Sequence, residues 1–111
     1  MKLTNELIWS PNLIPESSGL PTDIYHFHLY MKIRVSDRDN HFKVFNFQVC
    51  SPSALSDSES GVFLKHILVL EKFDWKNIKD RLNLLIEECQ TCPTWEAAVA
   101  KLAGSLEYTG K

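Results

Sequence analysis

Hydrophobic and polar residues alternate along two neighbouring stretches of the chain, and this alternation predicts a β-hairpin. From Asp23 to Val35 apolar side chains occupy every second position, and the same pattern returns from Phe42 to Cys50. A period of two is typical of a strand with one buried and one solvated face. The polar residues 36–40 between the two runs suit a short connection. We therefore expect an antiparallel pair of strands whose two faces differ in polarity.

Two further strands are expected outside this hairpin. Residues 1–9 place apolar side chains among polar ones, as in a short strand. Residues 64–72 are apolar and β-branched enough to form another. The proline-bearing stretch 10–22 should run over the surface as a connection, because proline fixes φ and removes a backbone donor. The small, polar and partly acidic residues 57–61 predict a mobile loop.

Beyond Asp74 the spacing of apolar residues changes from two to three or four, which predicts helices. Asp is a favourable N-cap residue because its carboxylate accepts hydrogen bonds from the unpaired N–H groups of the first turn. A second helix is expected from its N-cap residue Thr94 to Leu102. The apolar stripe of the first helix, which spans about four turns, consists of Trp75, Ile78, Leu82, Leu85 and Cys89.

Strands followed by helices are typical of an α+β fold. We therefore expect an antiparallel sheet of about four strands with two C-terminal helices packed on one face. The helix that begins at Trp75 should cover the sheet face that carries Phe27, Phe45 and Phe47. The chain has 111 residues, close to the usual size of one domain, so residues 1–111 are expected to form a single domain.

Charge and cysteine usage narrow the expected partners and compartment. The formal net charge is −2 and the basic residues are scattered, which disfavours nucleic-acid binding. The chain has an odd number of cysteines, three, and is long enough to form a hydrophobic core without covalent cross-links. No disulfide framework is therefore expected. The N-terminus lacks the apolar core of a signal peptide, and no stretch reaches the ~20 apolar residues of a membrane helix. The expected location is the reducing cytoplasm, away from membranes.

The sequence lacks the patterns that mark common catalytic sites. It contains no G-x-S-x-G motif and no glycine-rich phosphate loop. Cys89 and Cys92 match the redox spacing C-x-x-C, but they fall at the C-terminal end of a predicted helix, where the dipole disfavours a thiolate. A structural zinc site needs four ligands and would have to add distant residues such as Cys50 and His66. We therefore expect neither an enzyme nor a bound cofactor.

Two groups of residues are candidates for binding a partner protein. His26, His28 and Tyr30 are two apart in a predicted strand, so their side chains should form one row on its solvated face. Aromatic residues are enriched at interfaces, which favours this row as a contact surface. Asp57 and Glu59 in the acidic loop would attract a partner with a basic cleft.

Several stretches, spread over nearly the whole chain, resemble the immunity protein 8 family. They are the strand that ends at Ser10-Pro11, the proline-bearing link, the hairpin segment Phe45–Pro52, the tripeptide Phe73-Asp74-Trp75 and the closing Thr94-Trp95-Glu96. Members of this family are small bacterial proteins encoded beside polymorphic or contact-dependent toxins. The resemblance implies a monomeric or weakly oligomeric protein that binds a cognate toxin domain inside the cell and blocks it without chemistry of its own. It supplies no toxin-contact residues that transfer to this chain.

Two other hypotheses remain open at the level of the sequence. A metal-dependent enzyme or sensor would use His26, His28 and His66 together with the cysteines. A structural subunit of another assembly would also bind a partner, although that partner would not be a toxin. Metal analysis of the purified protein would identify the first, and the genomic neighbourhood would separate the second from an immunity protein.

Overall fold

The computed structural model describes residues 3–56 and 66–108. It shows a β-sheet with a layer of helices packed against it. In chain order the elements are β1 (Thr4–Trp9), β2 (His28–Ser36), β3 (Phe42–Cys50), α1 (Pro52–Ser56), β4 (Ile67–Val69), α2 (Trp75–Glu88), α3 (Trp95–Leu102) and β5 (Glu107–Tyr108). The strands lie in the order β1-β2-β3-β4, and β5 also pairs with β3. The predicted α+β fold is confirmed.

Asp37 organises the turn of the predicted hairpin. β2 and β3 are antiparallel and stay in continuous register over nine residues each. In the turn, the Asp37 carboxylate accepts hydrogen bonds from the backbone N–H groups of Asp39 at 2.9 Å and His41 at 3.0 Å. Asn40 adopts the left-handed conformation, with φ of 65°, which Asn tolerates better than most residues. The prediction of a hairpin at this position is confirmed.

The strand predicted from Asp23 begins only at His28. The N–H of Tyr25 donates to Asp23 Oδ1 at 2.9 Å, and the N–H of His26 donates to the Asp23 carbonyl oxygen at 3.4 Å. These bonds fold residues 23–26 into a turn, because a short acidic side chain competes with regular structure for backbone donors. Tyr25, which the alternation placed on the buried face, is 61% exposed as a result.

β4 is shorter than predicted and runs parallel to β3. The prediction extended over 64–72, whereas three residues pair with β3, and the N–H of Gln48 donates to the His66 carbonyl oxygen at 2.8 Å. The sheet is therefore mixed, while its other three pairings are antiparallel as expected. The short helix α1 was not predicted, since five residues show too little periodicity. The expected loop at 57–61 lies outside the described residues.

Both predicted helices begin at the predicted N-cap residues. Asp74 Oδ1 accepts a hydrogen bond from the N–H of Lys76 at 2.9 Å, and Thr94 Oγ1 accepts one from the N–H of Ala97 at 3.1 Å. Leu85, predicted on the buried stripe, is only half-buried. No helix among the described residues combines the length and the apolar composition needed to cross a bilayer. The buried residues of α2 and α3 are Ile78, Leu82, Ile86, Trp95, Ala98 and Leu102.

Strand alternation gives the sheet a covered face and an open face. The covered face packs against α2 and α3 in one core, which includes Phe27, Phe45 and Phe47 as predicted. The side chains that alternate with those of the covered face point away from the two helices. We call this second surface the open face; it carries Leu7, Trp9, His28, Tyr30, Lys32, Arg34, Phe42, Val44, Asn46, Gln48, Ile67 and Val69.

Candidate protein-binding surface

Large apolar side chains stand exposed on the open face. Tyr30 is 59% exposed, Phe42 51%, Leu7 49% and Val69 46%. They come from four neighbouring strands, so the pairing of the sheet places them on one surface together with polar and charged residues. Exposed aromatic and apolar side chains mixed with polar ones over one sheet face make this face a candidate protein-binding surface.

A bulge in β1 fixes a charged pair at the margin of the open face. The register between β1 and β2 shifts between Asn5 and Leu7. The bulged residue, Glu6, places its Oε2 2.9 Å from Arg34 Nε. The guanidinium also lies 3.9 Å from the centre of the Phe42 ring. An exposed pair adds little stability, but these contacts restrain Arg34, so that less side-chain freedom is lost when a partner binds.

The structure keeps His28 and Tyr30 together and separates His26 from them. The rings of His28 and Tyr30 stack with their centres 6.0 Å apart, and His28 Nε2 is hydrogen-bonded to the side-chain oxygen of Gln48. His26 precedes the strand, and its Nδ1 lies 2.8 Å from Ser53 Oγ. The predicted row is therefore shorter than expected, because the chain turns before β2 begins.

The second predicted contact group, Asp57 and Glu59, lies outside the described residues. Its part in partner binding stays a prediction. Among the acidic side chains that the structure describes, Glu87 and Glu88 are exposed in the last turn of α2. They belong to the helical layer and thus lie apart from the open face.

The residues considered for a metal site are not brought together in the described part of the chain. There, the group whose ligand atoms lie within 4.8 Å of one another is Asp37, Asp39 and His41 in the hairpin turn. The sequence signal for it is the spacing D-x-D-x-H, which lies outside the residues expected for a metal site. The Asp37 carboxylate already accepts two backbone N–H groups, and its Oδ2 lies 2.9 Å from His41 Nδ1. These hydrogen bonds stabilise the turn, and they account for the short distances among the three side chains.

The bond between Asp37 and His41 shifts the pKa of both side chains. Burial pushes the pKa of Asp37 upward, but hydrogen bonds from the His41 ring and from the N–H groups of His41 and Asp39 outweigh it, so the pKa is lowered. The hydrogen bond to Asp37 raises the pKa of His41. The turn therefore favours the doubly charged state of the pair.

Two of the three cysteines, Cys50 and Cys89, occupy positions that do not activate a thiol. All three are free; Cys50 and Cys89 are buried, and Cys92 is half-buried. Burial raises the pKa of the thiols of Cys50 and Cys89. Cys89 directly follows α2, as predicted, and its carbonyl oxygen accepts the N–H of Cys92 at 3.1 Å. A reactive thiol requires the opposite conditions, partial exposure and a lowered pKa.

Comparison with known families agrees with the resemblance seen in the sequence. The family model described as Immunity protein 8 matches residues 18–108. The matched range runs from the link before β2 to β5 and thus includes most of the open face. Neither the curated proteins nor the solved structures give a significant match. The match extends over far more than half of the sequence, and the chain therefore belongs to the immunity protein 8 family.

Proposed function

We propose that this protein neutralises a cognate bacterial toxin domain by binding it directly and obstructing it, without chemistry of its own. Membership of an immunity protein family supports this function. We also propose that it acts in the cytoplasm, as a monomer or weak oligomer. The three free cysteines fit a reducing compartment.

The open face is the observation that carries this proposal. Trp, Tyr and Arg are the residues most enriched among binding hot spots, and this face presents Trp9, Tyr30 and Arg34 on adjacent strands. The strands hold these side chains on a rigid backbone, so little backbone ordering opposes binding. Exposed Phe42 and Leu7 add apolar area beside them. The toxin would thus meet a preformed, partly aromatic surface.

Within this surface we propose His28 and Tyr30 as contacts, with His26 at the margin. The stacked rings of His28 and Tyr30 form one aromatic-polar element at the start of β2. Asp57 and Glu59 are proposed as further contacts from the segment after α1. If the toxin has a basic cleft, these carboxylates would speed association and occupy the path of an anionic substrate.

Co-expression with the toxin domain encoded by the adjacent gene tests the function. We expect rescue of growth and co-purification of the two proteins. If the protein neither rescues growth nor binds the toxin domain, the proposed function is wrong.

A pair of substitutions then tests the surface. Tyr30→Ala should weaken the complex about thirtyfold or more, because truncation of a hot-spot residue costs about 2 kcal/mol or more. Leu84→Ala is the matched control, since Leu84 is 55% exposed on α2, in the other layer. Equal affinities for the two variants would show that the toxin binds elsewhere.

A further inference from the structure

β1 forms one edge of the sheet and is held at its two ends. Among the described residues, no strand pairs with β1 on the side away from β2. Just before the strand, the N–H and the carbonyl oxygen of Leu3 bond to the side-chain amide of Gln90 at 2.8 and 3.1 Å. Just after it, the N–H of Ser10 donates to the Glu16 carbonyl oxygen at 2.8 Å. These bonds close the two ends and leave the middle of the edge for other partners.

The outward backbone groups in the middle of this edge belong to Asn5 and Ile8. The N–H and C=O groups of successive residues in a strand alternate between its two edges. Asn5 comes two residues after Leu3, and Ile8 comes two before Ser10, so both share the outward direction of these end residues. A row of backbone groups directed away from the sheet is a template for an additional strand.

A groove follows the same edge. One cavity of about 380 Å³ runs beside β1 and is walled on its far side by Lys79 and Asn83 of α2. A second cavity, of about 280 Å³, shares Leu7 with the first and continues to Trp9 and Glu16. The two cavities also share Ser17 of the link (residues 10–22), so they adjoin along the strand, and the first of them lies between the link and α2.

Asn5, which lines this groove, carries a side-chain acceptor without a partner among the described residues. Its Nδ2 is 3.4 Å from Asn83 Oδ1, whereas its own Oδ1 is buried and has no hydrogen-bond partner among the described residues. An unpaired buried acceptor is destabilising, and an N–H from a bound chain would satisfy it once the Asn5 amide turns toward the groove. This acceptor is independent of the edge backbone and also points to a ligand that carries donors.

We infer that a short extended segment of a partner protein docks in this groove as an added strand on β1, with a Lys or Arg side chain at its Trp9 end. Only a polypeptide supplies N–H and C=O groups at the spacing of a strand. The Glu16 carboxylate and the Trp9 indole suit a cation. Because of the bulge at Glu6, residues 5–8 cover about three regular strand positions, or about 10 Å at ~3.3 Å each, which sets the length of the added strand at about three residues.

A second copy of this chain fits the groove less well than a single segment does. Its β1 would bring its own link and its own α2 to a groove that is already walled on both sides. The inference rests on the proposed function and takes the toxin domain as the source of the segment. Leu7 and Trp9 belong both to the groove and to the open face, so one partner can cover the two surfaces continuously.

Hydrogen exchange of the complex with the adjacent gene's toxin domain tests this inference. In the free protein the amides of Asn5 and Ile8 should exchange quickly, and in the complex at least tenfold more slowly. The amides of Leu7 and Trp9 are the internal control, because they face β2 in both states. A stable complex without protection at Asn5 and Ile8 would overturn the inference and keep the proposed function. Absence of a complex would overturn both.

The basic residue of the segment is tested separately. Glu16→Gln should weaken the complex five- to tenfold in 0.1 M salt, whereas Glu71→Gln, at an exposed position between β4 and α2, should change the affinity less than twofold. If the two variants bind equally well, no cation of the partner meets Glu16.

Discussion

His41 in the hairpin turn stacks on Trp95, the first residue of α3, with ring centres 5.6 Å apart and planes inclined by 18°. The same ring is bonded through Nδ1 to Asp37 Oδ2 at 2.9 Å. Asp37 therefore shapes the turn and also holds the ring on which the helix begins. The contact joins the end of the hairpin to the helical layer, two parts of the chain that are far apart in sequence.

The stability that His41 contributes should depend on pH. Because folding raises its pKa, the contribution is complete below the unfolded value of about 6.5 and is lost as the pH rises through the folded value. Because folding lowers the pKa of Asp37, its contribution is present above about 3.9 and is lost as the pH falls through the lowered value. His41→Gln should therefore destabilise the protein more at about pH 5.5 than at about pH 8.5, as measured by urea unfolding.

The Asp37→Asn background provides the control for this prediction. Asn retains an oxygen that can accept the N–H groups of the turn, but it has no charge to pair with His41. In that background the effect of His41→Gln should vary much less between the two pH values. An unchanged pH dependence would assign the effect to another group.

Gly19 is expected to tolerate no side chain. A Cβ atom there would lie 2.7 Å from the carbonyl oxygens of both Ile14 and Pro15, which are backbone atoms that cannot move aside easily. The carbonyl of Gly19 also accepts the indole N–H of Trp75 at 2.8 Å. Gly19→Ala should therefore destabilise the protein by about 1–3 kcal/mol, the usual range for a forced overlap.

Gly104→Ala is the matched control for this substitution. A Cβ atom at Gly104 would have one near neighbour, the Lys101 carbonyl oxygen at 3.3 Å. Urea unfolding should show a smaller loss there than at Gly19. Equal losses of stability at Gly19 and Gly104 would mean that the backbone of the link before β2 can shift to accommodate a Cβ atom despite its close contacts.

The side chain of Gln90 should stabilise the start of β1. Its amide bonds to both backbone groups of Leu3, a residue only 4% exposed. Gln90→Ala would leave these groups unpaired, with an expected loss of about 1–3 kcal/mol. The amide protons around Leu3 should also exchange faster. Gln90→Glu retains the acceptor for the Leu3 N–H but loses the donor to the Leu3 carbonyl oxygen. Its stability should therefore lie between that of the unchanged protein and that of Gln90→Ala. If Gln90→Glu is as unstable as Gln90→Ala, the bond accepted from the Leu3 N–H contributes little.

Long periodic segments could be predicted from the sequence, and so could β1 and α3, whereas α1 was missed and β4 was predicted too long. In β2, β3 and α2 the hydrophobic period repeats often enough to identify the type of element from the sequence. The N-caps Asp74 and Thr94 were predictable because capping depends on local chemistry. The start of β2 was misplaced because the turn at Asp23 depends on which backbone donors one carboxylate captures.

The candidate binding surface depends on register, which the sequence did not reveal. Alternation predicted a polar face with His28 and Tyr30 on it, yet Trp9 and Phe42 join them only through the pairing of β1, β2 and β3. The bulge at Glu6 decides which side chains of β1 reach this face. The groove beside β1 needs α2 to lie along the edge, a contact between residues almost eighty positions apart, as in the pair Asn5 and Asn83.

The three thiols should differ in reactivity in the order of their burial. Cys92 is half-buried, whereas burial raises the pKa of both Cys50 and Cys89, so their thiolates are scarcer as well as less accessible. With excess iodoacetamide at about pH 8, mass spectrometry should show one rapid alkylation, lost in Cys92→Ser, and two more that require urea. Rapid alkylation of Cys89 in the folded protein would mean that the turn after α2 opens. It would also restore the C-x-x-C pair as a candidate redox site, because both of its thiols would then be accessible.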